Sequence, residues 1–194
     1  FLGYKLGDNF TYHHKVVSYF EHVSNTSSNV KLISYGKTYE GRPLLVAVIS
    51  SEENMEMIED LRMDNLKRAG IAKGQASNKK VGIVWLSYNV HGNEANSTEA
   101  AMKTLYSLAS KNNKKTQDWL KNTVVIIDPC INPDGRDRYT NWFRMTANRW
   151  PDADPLSIEH MEPWPGGRTN HYYFDLNRDW AWQTQIESQS RIKL

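Results

Sequence analysis

Two short apolar runs, Val81 to Tyr88 and Val124 to Asp128, constrain the fold of this chain more than any other feature. Neither alternates apolar with polar residues as a strand with one wet face does. Both are bounded by turn-forming residues, so each reads as a strand buried on both faces. Between them Ala100, Ala101, Met102, Leu105 and Leu108 recur at helical spacing, with Asn96 and Glu99 placed as a capping box. A strand, a helix and a second strand in that order predict an α/β fold.

The flanking segments add to this pattern. Val16, Val17, Phe20 and Val23 lie on one face of a helix over Tyr12 to Val23, which breaks at the polar cluster Ser24 to Asn29. Val30 to Tyr35 and Leu44 to Ser50 flank the turn-rich stretch Gly36 to Pro43 and read as a hairpin. Met55, Ile58, Leu61 and Leu66 predict a helix from Glu52 to Ala69, ending near Gly70. Met145 to His171 is irregular and contains Trp150-Pro151 and Pro163-Trp164-Pro165-Gly166-Gly167. A long irregular insertion inside a compact domain is typically a functional loop.

With 194 residues and 39% hydrophobic content, the chain needs no more than one core. Its 24 basic and 22 acidic residues leave a formal net charge of +2, which gives no sign of a nucleic-acid or membrane surface. No stretch approaches the roughly 20 apolar residues of a membrane span. The start Phe1-Leu2-Gly3-Tyr4-Lys5 lacks the pattern of a signal peptide and an initial Met, and reads as that of a processed or excised segment. The single Cys130, beside Pro129 at the end of an apolar run, reads as a buried space-filler. Three matches to the glycosylation pattern, at Asn9, Asn25 and Asn96, are too short to carry weight.

Three clusters could carry chemistry. His91-Gly92-Asn93-Glu94 follows the first central run, at the strand edge where open α/β sheets gather their ligand sites. An imidazole and a carboxylate on one short turn suit a catalytic zinc, which takes three protein ligands and leaves a position open. His-x-x-Glu alone is short and common, and a surface His and Glu beside a turn would look the same. Asn132-Pro133-Asp134-Gly135 closes the second run and reads as a tight turn leading to Arg136, Arg138 and Arg144. An arginine beside a metal-bound carbonyl would stabilise the oxyanion formed as water attacks, although most arginines are solvated surface residues. Phe174-Asp175-Leu176-Asn177-Arg178-Asp179-Trp180 sets an amide beside a guanidinium, a pairing suited to a carboxylate. The plainer alternative is a loop salt bridge from Arg178 to Asp175 or Asp179.

Taken in order, Tyr39-Glu40-Gly41-Arg42-Pro43, His91-Gly92-Asn93-Glu94, Asn132-Pro133-Asp134-Gly135, Asn141-Trp142-Phe143-Arg144 and Asp175-Leu176-Asn177-Arg178 resemble the zinc metallocarboxypeptidase family, peptidase M14. The resemblance runs from about Val30 to Trp180, and five ordered motifs are far more specific than any one of them. It implies a mixed, mostly parallel twisted sheet with helices on both faces. It implies that His91 and Glu94 ligate one Zn2+, that Arg144 polarises the scissile carbonyl, and that Asn177 and Arg178 hold the terminal carboxylate of a peptide or protein substrate with a free C-terminus. It further implies hydrolysis of the last peptide bond by a water that zinc and a general-base Glu activate.

The family's third zinc ligand is a His that follows the Asn-Arg pair, yet no His follows Arg178. His160 and His171 precede the pair, and Glu187 comes too soon after it, in an expected helix from Gln183 to Ile192, to be the general base. Residues 1–194 are therefore expected to be the N-terminal portion of a single catalytic domain, incomplete at the C-terminus and inactive alone. An exposed sheet edge would then favour self-association. Two other readings compete: a hydrolase of small N-acyl amino acids, as in the aspartoacylase and succinylglutamate desuccinylase branch, and a noncatalytic module that binds peptide C-termini. A murein-peptide amidase within the M14 group is a further variant. Secretion or a periplasmic location is expected from the many relatives so placed.

Overall fold

The hairpin forms as its sequence predicts. In the computed structural model, which describes residues 1–194, β1 (Val30–Lys37) and β2 (Pro43–Ile49) pair antiparallel, with Gly41 at φ +77 turning the chain between them. β2 also pairs antiparallel with β4 (Thr123–Asp128), which pairs in parallel with β3 (Gly82–Ser87). The sheet order is β1-β2-β4-β3. The fold is α/β with a mixed sheet, but among these four strands only the β3/β4 pairing is parallel. The hairpin reverses the direction of β2, so its contact with β4 is antiparallel.

Helices cover both faces. On one side α1 (His13–Thr26) and α4 (Asn96–Ala109) place Val16, Phe20, Ala101, Met102 and Leu105 against Ala47, Ile49 and Ile127. Burial of each large aliphatic or aromatic side chain of this layer contributes about 1.5–3 kcal/mol. α5 (Lys114–Leu120) closes the same core through Leu120. On the other face Leu61 packs against Val48 and Val124. It belongs to α3 (Ile58–Arg68), which is separated from the short α2 (Glu52–Glu56) by Met57 at φ −112, ψ 26, so the expected single helix is broken there. α6 (Pro133–Thr146) follows β4, and α7 (Ile186–Ile192) packs on β1. α7 starts later than expected, because Gln183 is at φ +52 and the Asp179 carboxylate holds the turn by accepting from the Thr184 and Gln185 amides.

Three further sequence expectations are corrected. β3 is an edge strand, with Ile83, Val84 and Trp85 about two-fifths exposed, because it pairs with β4 alone. Its unbroken apolar run could not reveal on which side a neighbour was lacking. Asn96 and Glu99 form no capping box. Ala95 precedes the helix without a side-chain cap, and the Glu99 carboxylate points inward, where it accepts from the Thr11 amide and from Arg136. Asn132-Pro133-Asp134-Gly135 is the start of α6 rather than a free-standing turn. The Asn132 side chain accepts from the Gly135 amide at 3.0 Å, and Pro133 occupies the first helical turn, where its missing N–H is not needed. Cys130 is buried as expected, and burial pushes its thiol up to about 12. No helix is long and apolar enough to cross a membrane.

Candidate metal and carboxylate site

Because β3 and β4 run parallel, their C-terminal ends emerge side by side and deliver the chain to one edge of the sheet. Asn89, two residues past β3, turns there at φ +57, a left-handed conformation that Asn tolerates better than most residues. Its side chain organises the loop that follows. Nδ2 donates to the carbonyls of His91 (2.6 Å) and Glu94 (3.2 Å), and Oδ1 accepts from Thr98 Oγ1 (3.0 Å) and Arg136 Nη1 (3.2 Å). Asn89 stands outside the motifs of the sequence, although an Asn directly after a strand and ahead of a His-x-x-Glu turn is a recognisable loop signal.

Three glycines bring the site's segments into contact. A Cβ on Gly92 would strike the backbone of Gly135, Arg136 and Gly167, and one on Gly135 would strike the carbonyls of Gly167 and Thr169. The His91 loop, the first turn of α6 and the Gly166-Gly167-Arg168 stretch thus meet backbone to backbone. Two hydrogen bonds fasten the junction, since the Arg168 carbonyl accepts from the Gly92 amide (3.4 Å) and from Asn132 Nδ2 (3.1 Å). Asn93 Nδ2 adds a third tie by donating to Glu162 at 2.8 Å.

At this junction His91, itself buried, lies between two carboxylates. Nδ1 is 3.0 Å from Glu94 Oε1, and Nε2 is 3.1 Å from Asp175 Oδ1. The other Asp175 oxygen accepts from Arg168 Nη2 at 3.1 Å. Burial acts to raise the Asp175 carboxyl, but the Asn177 amide, Arg168 and His91 outweigh it and hold the group below the usual carboxylate range. The Asp-Leu-Asn-Arg element thus contributes Asp175 as well as its last two members, whereas the sequence suggests for Asp175 only an ion pair with Arg178.

A neutral imidazole donates from one ring nitrogen only. If Nε2–H is held by Asp175, the Nδ1 lone pair faces the Glu94 carboxylate, and two acceptors sit so close only with a proton or a cation between them. A histidine whose far nitrogen is fixed by a carboxylate is also the usual outer arrangement of a metal-ligating His. The donor set therefore fits a metal at Nδ1 and Glu94, as two ligands of an incomplete set. No group of three His, Cys, Asp or Glu side chains able to hold a metal ion is present. His160 is engaged elsewhere with the Asp152 carbonyl (2.6 Å), and His171 with Glu40 (3.0 Å).

The remaining predicted residues divide. Asn177 and Arg178 lie on the short 3-10 turn that follows Asp175. Trp180 Nε1 donates to Asn177 Oδ1 at 3.3 Å, which leaves the amide hydrogens of Asn177 free, and the exposed Arg178 guanidinium makes no ion pair with Asp175, Asp179 or any other carboxylate. Arg144 is not brought to His91. Its guanidinium sits 4.6 Å from the Tyr12 ring and lines a separate cleft with Phe10, Phe143 and Asn148. Arg136 is wholly buried and structural, and Arg138 donates to the carbonyls of Gly166 and Asn170. The guanidinium that does reach the network is that of Arg168.

Residues 16–193 match the family model described as zinc carboxypeptidase, peptidase M14. The chain belongs to this family. Its fold is similar to that of a metallo-carboxypeptidase from Burkholderia cenocepacia, at 15% identity and a TM-score of 0.57 over 93% of this chain and 36% of that one. Carboxypeptidase A from Helicoverpa armigera gives 18% identity and a TM-score of 0.56, over 96% of this chain and 42% of the other. Bovine thrombin-activatable fibrinolysis inhibitor, solved with a tick carboxypeptidase inhibitor, gives 16% and 0.57 over 96% and 55%. The chain thus spans between 36% and 55% of the length of these three structures. At such identities the likeness concerns the fold.

Proposed function

We propose that this chain carries the zinc-binding and carboxylate-binding portion of a metallocarboxypeptidase that hydrolyses the C-terminal peptide bond of peptides or proteins. The observation that carries this reading is His91 held between Glu94 and Asp175, with the unpaired guanidinium of Arg178 on the turn that Asp175 begins. His91 and Glu94 would hold Zn2+, which when bound supplies a Lewis acid for the carbonyl and lowers the pKa of water. Asp175 fixes the tautomer and ring orientation of His91. Arg178 offers a planar fork for two parallel hydrogen bonds to a terminal carboxylate, and the free amide hydrogens of Asn177 add a donor. Carbonyl polarisation, expected from Arg144, is assigned instead to Arg168, whose guanidinium lies against Asp175.

A catalytic zinc takes three protein ligands. With His160 and His171 engaged elsewhere, the third ligand and the general base are proposed to lie outside residues 1–194, which leaves this chain inactive alone. The unpaired edge of β3, with its exposed apolar side chains, supports self-association, which light scattering would detect. A secreted or periplasmic location is proposed and is open to cell fractionation.

The deciding experiment uses the longer gene product loaded with zinc and compares peptides with free and amidated C-termini. Release of single residues from free-ended peptides only is expected, and equal turnover of both forms sinks the reading. In the same assay Arg168→Ala is expected to lower kcat by about 100-fold with little change in KM, the size of effect seen when one oxyanion donor is removed. Arg144→Ala is expected to leave both near the parent values. The opposite pattern would restore the role to Arg144.

A further inference from the structure

Tyr39, Trp164, Tyr172, Tyr173 and Phe174 hold their rings in water, with exposures from 39% at Tyr39 to 84% at Trp164. They border the His91 network. Phe174 directly precedes Asp175, and Trp164 belongs to the loop that Glu162 ties to Asn93. The rings are paired, Tyr172 edge-on to Tyr39 at 4.7 Å and Trp164 against Tyr173 at 5.4 Å. Single exposed aromatics need no explanation, but two ring pairs meeting at one short stretch beside a site do.

The backbone beneath is built to present them. Asn170 is fully buried, and its Oδ1 accepts from the amides of Tyr172 (3.1 Å) and Phe174 (3.0 Å) while Nδ2 donates to Gln185 (2.9 Å). Tyr173 is held at φ +66, which a bulky side chain seldom adopts. Arg138 lies 5.3 Å from the Tyr173 ring while donating to the Gly166 and Asn170 carbonyls. Folding gains little from strain that keeps apolar rings wet, whereas binding gains from rings already fixed in place.

We infer that this aromatic turn docks apolar side chains of a peptide substrate upstream of its C-terminal residue. The inference rests on the proposed function, because Arg178 on the following turn fixes the chain end and residues 164–178 continue from it without a break. The Arg138 guanidinium is turned to two backbone carbonyls beneath the Tyr173 ring and His171 is held by Glu40, so the rings themselves present apolar faces suited to apolar residues.

Isothermal titration of the zinc-loaded gene product tests this with four ligands: a free-ended peptide with Leu and Phe upstream, the same peptide with Ser there, its amidated form, and an N-blocked dipeptide. The apolar peptide is expected to bind about tenfold more tightly than the Ser peptide, in line with aromatic contacts of this kind. Trp164→Ser combined with Tyr172→Ser, both exposed positions, is expected to erase that difference and leave the dipeptide unchanged. Equal affinity for the apolar and Ser peptides overturns the inference, as does an equal loss for the dipeptide. Tighter binding of an oligosaccharide than of any peptide would also overturn it. Amidation without effect would remove the carboxylate reading while the side-chain contrast still decides the rings, and no peptide binding at millimolar concentration would remove both.

Discussion

Arg136 and Arg178 put the same side chain to opposite uses. Arg136 is wholly buried, and its nitrogens donate to the Thr11 carbonyl (2.9 Å), Ala95 carbonyl (2.5 Å), Asn89 Oδ1 (3.2 Å) and Glu99 Oε1 (2.7 Å). It knots the N-terminal segment, the His91 loop and α4 to α6. Arg178 is exposed and donates to no side chain. Residue type thus says little about role. A guanidinium whose donors are all used inside the chain is structural, and one left open beside a turn is available to a ligand.

The largest expected effect breaks the buried member of this contrast. Arg136→Met leaves the Glu99 carboxylate in the interior with Thr11 but without its cation, and should cost about 3–5 kcal/mol of unfolding free energy, read from denaturant midpoints. A loss below about 1 kcal/mol would show that Glu99 finds other partners.

Asp128 offers an intermediate case. It is buried like Arg136 and bonded by Tyr35 (3.0 Å) and Arg191, yet its Oδ1 has no partner. Burial pushes its carboxyl from 3.8 to about 6, against the pull of Arg191 and Tyr35. The native state therefore holds the proton more tightly than the unfolded one. Stability should fall as pH rises from about 4 to 6, by at most about 1.4 kcal/mol per pH unit. Asp128→Asn should flatten that slope, and an unchanged slope would assign it to other groups.

Arg178→Met tests the open member. Stability should change by less than about 0.5 kcal/mol, while affinity for free-ended peptides should fall by about 10–100-fold, with amidated peptides unaffected. Equal losses for both would mean that Arg178 contacts something other than the terminus. The smallest effect belongs to Asp175→Asn, which should weaken zinc binding about tenfold by loosening His91, as competition with a chelator would show.

Much of the fold was legible because local patterns and tertiary burial agreed: the hairpin, α1 and the strands of the parallel pair lie close to where periodicity placed them. The failures share a cause. The β3 run and the Asn96/Glu99 pair carry correct local signals, but a missing neighbour and a buried arginine decided their environment, and neither is encoded nearby. At the candidate site His91, Glu94, Asn177 and Arg178 stand out in short motifs, and the structure adds that His91 meets Glu94 and that Arg178 is exposed. Asp175 and Arg168 became visible only when residues distant in sequence met, while Arg144, carried over by resemblance, is directed to Tyr12.

The backbone junction of Gly92, Gly135 and Gly167 also bears on the order of assembly. His91 and Glu94 are synthesised well before Asp175 and Arg168, and the Nε2 side of the imidazole is held only once the later loop has closed over the first turn of α6. Contacts of such long sequence separation form late, after loop closure has been overcome. The polar centre should therefore be among the last parts of the chain to mature and among the first to open. Amide exchange at Gly92, whose proton is held by Arg168, should report that opening before the sheet loosens.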